Sequence, residues 1–526
     1  MSSPKIFSLY TLISLLGFAL GEDLQSCLLS NGVLNFTSRS QSSDAAYNHF
    51  LSFSIQNLRF TKPTMEKPVM VILPETHAQL SSTILCSKET SHEIRIRCGG
   101  HSYEGLSSTG DRSFIIIDLM NLNNIHVDLE TQTAWVEAGA TLGETYYSIA
   151  RATSDFGFSA GSCPTVGSGG HISGGGFGFL SRKYGLAADN VLDTLVINSG
   201  GEVMEREAMG EDMFWALRGG GGGNWGLVYA WKIRLLEVPK VVTVFTVSRE
   251  KSRESVLELV HKWQYVGPKL EDDFYLSVFV GAGLPQARKE GISATFKGMY
   301  LGNVTYALYL INGVFPELEI EYDECLEMSW IESIVFFSGL KEGSTFENLK
   351  DRFLHDKNYF KAKSDYVRTP IPKIGLEKVL RILEEEPKGY VILDPYGGKM
   401  ARIPWDSIPF PHRANTLYAI QYLVAWNKED NSKADGYIHW LRGFYQYMTP
   451  FVSQAPRAAY VNYVDLDLGT MDMNSTDGLV QEARAWGEKY FLGNYDRLVR
   501  VKQQCDPDNV FSNPQGIPPI GALAAM

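Results

Sequence analysis

The sequence predicts an α+β fold in two parts, on three observations. From Lys67 to about Lys240, short apolar runs alternate with helical patterns and glycine-rich turns. From Val241 to about Thr470, longer alternating runs are interleaved with amphipathic helices, the pattern of a sheet covered by helices on one face. At 526 residues the chain is too long for one compact core, so two or three domains are expected.

The first residues read as a secretory signal, residues 1–21. Lys5 is the positive flank, Ile6 to Leu20 is apolar, and Ala19-Leu20-Gly21 offers small residues for cleavage. The apolar stretch is short for a membrane span, which needs about 20 residues, and no later run would serve, so no transmembrane anchor is expected. Entry into the secretory route permits disulfides. Of the six cysteines, Cys27 and Cys86 near the mature N-terminus are read as the bridge. Connectivity is not fixed by sequence, and the pairing of Cys98, Cys325 and Cys505 stays open. Asn35, Asn303 and Asn474 each begin an N-glycosylation signal. The net charge of −12 and the lack of a basic stripe argue against a nucleic-acid partner. An acidic surface suits a cationic small molecule. No metal site is expected.

In the first part, Val69 to Pro74, Ile94 to Ile96, Phe114 to Leu119, Thr133 to Gly139, Leu192 to Asn198 and Leu227 to Leu235 read as strands. Helices are expected over Thr76 to Lys88, capped by Glu75 or Thr76, and over Thr141 to Ala152, with Thr141 and Glu144 in capping-box spacing. In the second part, Val242 to Val247, Phe274 to Val280, Ile292 to Leu301, Gly389 to Leu393 and Leu417 to Trp426 are strand candidates. The helices there are Arg253 to Gln264, Leu376 to Glu385 and Lys433 to Met448. The tail reads as two helices, Gly478 to Phe491 and a second through Gln503, that pack back on the first part.

Two stretches carry the chemistry. Arg97-Cys98-Gly99-Gly100-His101-Ser102 follows a strand, and Gly161-Ser162-Cys163-Pro164-Thr165-Val166-Gly167-Ser168-Gly169-Gly170-His171 runs into Gly174-Gly175-Gly176-Phe177-Gly178. Glycines this dense let backbone N–H groups approach an anion closely. Each stretch holds one nucleophilic side chain, His101 or Cys163. A loop histidine and a buried thiol are the ordinary readings of either alone; the pair in two glycine-rich frames reads as a flavin site.

With Tyr103-Glu104-Gly105, Lys183-Tyr184-Gly185-Leu186-Ala187-Ala188-Asp189-Asn190, Arg218 to Gly223, Pro409-Phe410-Pro411-His412-Arg413 and Asp506 to Phe511 added, the chain resembles the plant berberine bridge enzyme family, within the vanillyl-alcohol-oxidase group of flavoproteins. Of its members, it looks most like those acting on benzylisoquinoline alkaloids. The resemblance implies an α+β fold with a two-part FAD-binding domain (22–240), a substrate domain with an antiparallel sheet covered by helices on one face (241–475), and a tail (476–526) returning to the FAD domain. It implies FAD held by two covalent bonds, from His101 and Cys163. Around the cofactor it places Gly99, Gly100, Ser102, Gly167, Gly170, His171, Gly174, Gly175, Gly178, Tyr184, Gly185, Asn462 and Asn509. Val166, three residues after the cysteine, is implied to abut the flavin edge where dioxygen reacts, and a valine there goes with oxidase behaviour and hydrogen peroxide as product.

On the substrate side, Tyr418, Ile420 and Tyr422 point one way along their strand and Leu417, Ala419 and Gln421 the other. The resemblance faces Ala419 and Gln421 to the flavin. The bridge-forming member has a glutamate at Gln421, a histidine at Tyr463 and a tryptophan at Ser162. An amide cannot serve as the base that glutamate provides. Tyr103 and Trp330 could stack on an aromatic substrate, or could be core. The expectation is an alkaloid oxidase that takes tetrahydroprotoberberines to protoberberines by hydride transfer to the flavin, with O2 as acceptor and catalysis involving Gln421, Tyr463, Val166 and Tyr103. Two alternatives stay open: bridge formation from reticuline, or oxidation of a carbohydrate or monolignol with Tyr463 as base. The protein is expected to be a monomer or weak dimer in an alkaloid vesicle, the vacuole or the extracellular space.

Overall fold

The computed structural model describes residues 23–39, 45–287, 291–473 and 478–521. The expected signal segment and Asn474 lie outside the described residues. Three principal sheets organise the chain. The first has the order Phe36–Ser38, Met70–Ile72, Phe114–Asp118, Glu93–Arg97. Phe114–Asp118 is buried at every position and is flanked by two parallel partners. A continuous apolar run suits a parallel strand covered on both faces. Helix His77–Glu89 starts at Thr76, whose hydroxyl accepts from the Gln79 N–H. Helix Leu142–Ala152 carries the expected capping box of Thr141 and Glu144. The second sheet is antiparallel, in the order Ile125–Asp128, Thr133–Glu137, Leu227–Arg234, Val191–Ile197, Val203–Met204.

The third sheet has seven antiparallel strands: Cys325–Met328, Val242–Arg249, Ser293–Tyr300, Phe274–Gly281, Gly389–Pro395, Tyr418–Trp426 and Tyr359–Val367. Strand alternation gives it two unlike faces. Phe274, Leu276, Val278, Ile420 and Tyr422 form a core with helices Arg253–Val266, Lys373–Glu385 and Ala434–Tyr447. Tyr275, Ser277, Phe279, Lys297, Asp394 and Gln421 lie on the opposite face and line a cavity. Helices Leu479–Phe491 and Tyr495–Cys505 bury Trp486, Tyr490 and Leu498 in the core of the first two sheets.

Cys27 and Cys86 form a disulfide; Cys98, Cys163, Cys325 and Cys505 are free thiols. The bridge spans a sequence separation of 59 residues. Replacing both cysteines by serine is expected to cost about 4 kcal/mol on the loop-entropy estimate, read as a lower melting temperature; an unchanged melting curve would remove this role. Asn303 is exposed and its side chain caps helix Val304–Val314 by accepting from the Tyr306 N–H. Asn35 is half-buried and donates to Glu75 Oε1 at 3.2 Å.

Candidate active site

Strand Glu93–Arg97 ends on an anchored residue. The fully buried Arg97 guanidinium donates from Nε to Asp118 Oδ2 at 2.7 Å, and to the carbonyls of Leu51 and Phe50. The chain then turns through Gly100, at φ +70°, where a Cβ would lie 1.6 Å from the Ser54 carbonyl oxygen. Only glycine fits that turn. A Cβ on Gly99 would strike the Gly167 nitrogen and the Thr165 carbonyl at 2.4 and 2.5 Å. The two glycine-rich stretches thus pack backbone on backbone. That contact brings their side chains together: the His101 Nε2 and the Thr165 hydroxyl are hydrogen-bonded at 2.8 Å, and Cys163 Sγ is 3.7 Å from the same hydroxyl. Burial, and secondarily the Lys357 charge, bring the His101 pKa down to about 4, so the imidazole is neutral at physiological pH. Burial pushes the Cys163 thiol up, opposed by its contacts with Thr165.

Two cavities meet here. A long one of about 460 Å³ is walled by Gly99 to Tyr103, Gly167, Gly170, Gly221 to Asn224 and the tail residues Phe511 to Asn513. At Gly170 and Gly223 the space that a Cβ would take is open. A second cavity of about 350 Å³ lies between Ser162, Phe177, Phe179 and the polar face of the seven-stranded sheet. Tyr103, Cys163, Val166, His171, Asn462 and Tyr463 line both. A cavity walled largely by glycine backbone, lined by His101 and Cys163 and sharing wall residues with an aromatic chamber, suits a dinucleotide with its reactive ring at the junction.

Comparison with known proteins decides the family. Residues 68–206 match the model of the FAD binding domain, and residues 459–518 match that of berberine and berberine-like proteins. Berberine bridge enzyme-like D-2 of Nicotiana tabacum is 54% identical, over 95% of this chain and 92% of that one. Reticuline oxidase of Eschscholzia californica is 49% identical, over 98% and 96%. The solved structure of berberine bridge enzyme from Eschscholzia californica superposes with a TM-score of 0.92 at 49% identity, covering 95% of this chain and 100% of that one. The chain belongs to the berberine bridge enzyme-like family. It is a FAD-dependent oxidase of that family, with the mixed helix and sheet architecture expected of it. Among the described residues, no helix is long and apolar enough to cross a membrane.

Within this family fold the expected site residues fall into two groups. His101, Cys163, Gly99, Gly100, Ser102, Gly167, Gly170 and His171 line the long cavity, with Asn462. Asn462 Nδ2 donates to the His171 carbonyl at 3.0 Å. Ser162, Gly178 and Gln421 line the second cavity. On its wall the Gln421 Nε2 donates to the Tyr103 hydroxyl at 2.6 Å, and the Tyr103 ring stacks on Tyr463 at 5.2 Å with 6° between planes.

Other residues of the expected set lie off the lining of both cavities. Gly174 packs against the Asn462 side chain and Gly175 against Phe410 and Leu186, while Gly221 to Gly223 line the first cavity. Tyr184 donates to the Glu237 carbonyl, and Gly185 packs on Asp189. Asn509 sits in a turn at φ +53°, its N–H bonded to the Asp506 carbonyl, while Phe511 to Asn513 reach the slot. Trp330 is buried in the first core against Gly157, away from both cavities. Ala419 lies on the cavity-side face but is packed beside Asp394 rather than lining the chamber.

Three residues at or beside the two cavities are not singled out by sequence alone. Thr165 touches both His101 and Cys163. Asp394 and Lys297 bring the only carboxylate and the only lysine to the second cavity's lining among the described residues. The electrostatics around Tyr463 run against a phenolate. Burial pushes its pKa well up, reinforced by Tyr103 and Asp394, whereas a base needs the opposite shift.

Proposed function

We propose that this oxidase carries FAD on two covalent bonds, from His101 and Cys163, and oxidises tetrahydroprotoberberine alkaloids to protoberberines in the secretory route. In this reading residues 22–240 hold the cofactor, 241–475 the substrate, and 476–526 close back on the cofactor part. FAD bound there would accept a hydride from the substrate and pass two electrons to dioxygen, giving hydrogen peroxide, and the four-electron oxidation of a tetrahydroprotoberberine to a protoberberine would take two such turnovers. Val166 lines both cavities, and in this reading its short side chain would let dioxygen reach the flavin. Phe177, Phe179, Tyr275, Phe279 and Phe337 give the chamber aromatic walls suited to a fused-ring alkaloid.

The observation that carries the reading is Gln421. Reticuline oxidases of Eschscholzia californica and Papaver somniferum are 49% and 50% identical to this chain, so similarity supports bridge formation equally. Bridge formation needs a base for a phenol. Gln421 is an amide, with its Nε2 committed to Tyr103, and an amide takes no proton at physiological pH. Oxidising a C–H bond beside a tertiary amine needs no such base, because the nitrogen lone pair drives the hydride out. The monolignol oxidoreductase of Arabidopsis thaliana is 44% identical, but a Tyr463 base is disfavoured by its raised pKa.

The test is peroxide release by the purified yellow protein with a tetrahydroprotoberberine, reticuline, a monolignol and an oligosaccharide. Fast turnover of the first is expected. Fast bridge formation by the unaltered protein would overturn the reading. Gln421→Glu is expected to raise bridge formation from reticuline about tenfold or more, worth about 1.4 kcal/mol on the barrier, measured by product chromatography; no gain would remove Gln421 as the residue that separates the two reactions.

A further inference from the structure

Asp394 stands on strand Gly389–Pro395, beside Ala419 in the cross-strand register, while Gln421 pairs with Ile392. Asp394 and Gln421 therefore sit two residues apart in register on the same face of the sheet, and both line the second cavity. One Asp394 oxygen accepts from the Tyr275 hydroxyl at 2.5 Å. The other takes no hydrogen bond among the described residues, and the side chain is half-buried toward the chamber. Lys297, the chamber's lysine, does not pair with it. The Lys297 ammonium instead rests over the Phe279 ring, 4.3 Å from its centroid. A carboxylate with one oxygen free, fixed by a tyrosine and facing an aromatic chamber, is built to receive a cation.

We propose that Asp394 is the docking carboxylate for a protonated tertiary amine substrate, and that it takes the ammonium proton before oxidation. The inference rests on the amine-oxidase reading above. In this step the substrate N–H bond breaks, an O–H bond forms on Asp394, and no electrons change hands. The freed nitrogen lone pair then supports loss of hydride from the adjacent carbon to the oxidase's electron acceptor. Asp394 serves the substrate nitrogen in this step and is not the phenol base that bridge formation needs at the position of Gln421.

The surroundings suit that role. The titratable groups facing Asp394 are Tyr275 from the adjoining strand and Lys297 from the strand beyond it, Tyr396 from its own segment, and Tyr460 and Tyr463 from the opposite loop. Burial brings its pKa up to about 6, with the Tyr275 hydrogen bond and the Lys297 charge pulling back. Above pH 6 the group is a carboxylate able to accept a proton. Burial also lowers the Lys297 pKa, which weakens the competing positive charge.

The test uses the flavin-loaded protein, with a tetrahydroprotoberberine as substrate and its N-methylated quaternary salt as a cation that has no proton to give. Asp394→Asn is isosteric and leaves an acceptor for Tyr275. It is expected to raise KM for the amine and weaken inhibition by the quaternary salt about tenfold or more, the worth of one close charge pair in the chamber. It should also abolish the acid limb of kcat/KM near pH 6. Unchanged KM, inhibition and acid limb would overturn the proposal, as would a loss of binding in Lys297→Met with Asp394→Asn silent, which would mark an anionic substrate group. If Asp394→Asn emerges without flavin, Tyr275→Phe decides. Removing that donor should move the acid limb to higher pH, and an unmoved limb overturns the assignment. If the unaltered protein oxidises no tetrahydroprotoberberine, the functional reading fails. Asp394 is then judged alone, by whether the quaternary salt perturbs the visible flavin spectrum in an Asp394-dependent way.

Discussion

Acid denaturation of the double variant His101→Ala/Cys163→Ala is expected to release its flavin into the supernatant, while the unaltered protein and each single variant keep theirs in the precipitate. The two side chains line one slot from opposite backbone stretches and share the Thr165 hydroxyl. On the proposed double attachment each would hold the ring when the other is gone, so only loss of both would free it. His101 is neutral at physiological pH, the form in which an imidazole nitrogen is nucleophilic. Each single variant should fold and turn over more slowly by about tenfold, some 1.4 kcal/mol on the barrier, because losing one of the two proposed tethers would leave the ring less fixed and lower its reduction potential. Flavin that stays with the acid-precipitated double variant would place the attachment on other residues.

Lys361→Met is expected to lower both stability and turnover, by a route that never touches the substrate. Lys361 and Lys363 are each 2% exposed on strand Tyr359–Val367. Lys361 bonds Glu104 and Asp465, and Lys363 bonds Asp465 and Asp467. Arg59 and Arg442 complete the cluster from outside, on Glu104 and Asp467. Glu104 follows Tyr103, and Asp465 stands two residues after Tyr463. The network therefore clamps the two loops whose stacked rings wall the chamber. Removing one partner of a buried ion pair strands a charge and costs about 3 kcal/mol. A melting temperature lower by several degrees should accompany a fall in kcat/KM. Lys361→Arg, which keeps the charge, should recover part of both. A variant with full stability and full kcat/KM would show that the clamp has no part in positioning.

Much of the architecture was legible because it is local. Alternation along Leu417 to Trp426 set which side chains face the chamber, and burial follows it: Tyr418, Ile420 and Tyr422 join the helix-covered core. The Thr141 and Glu144 spacing produced a real capping box. Strand Tyr359–Val367 was missed for an equally physical reason. Lys361, Lys363 and Asp365 are charged residues of a kind that seldom lies fully buried, yet all three are buried. Their partners stand far away in the chain, with Glu104 separated from Lys361 by 257 residues, and no window of sequence contains both. The glycine runs show the same limit. Composition marks Gly174 to Gly178 and Gly219 to Gly223 alike, but only packing decides which backbone is pressed against protein and which lines the cavity.

By itself the sequence marked the family and its FAD, because the motifs that carry the resemblance, Cys98 to Gly105, Cys163 to Gly167 and Lys183 to Asn190 among them, are contiguous stretches. The tertiary structure alone decided the electrostatics of the chamber. Asp394 and Lys297 are ordinary residues on separate strands, and they acquire meaning when the seven-stranded sheet turns its polar face to the cofactor slot. Desolvation, a neighbouring hydroxyl and a distant charge then set their proton affinities, and those quantities depend on distances that strand order does not encode.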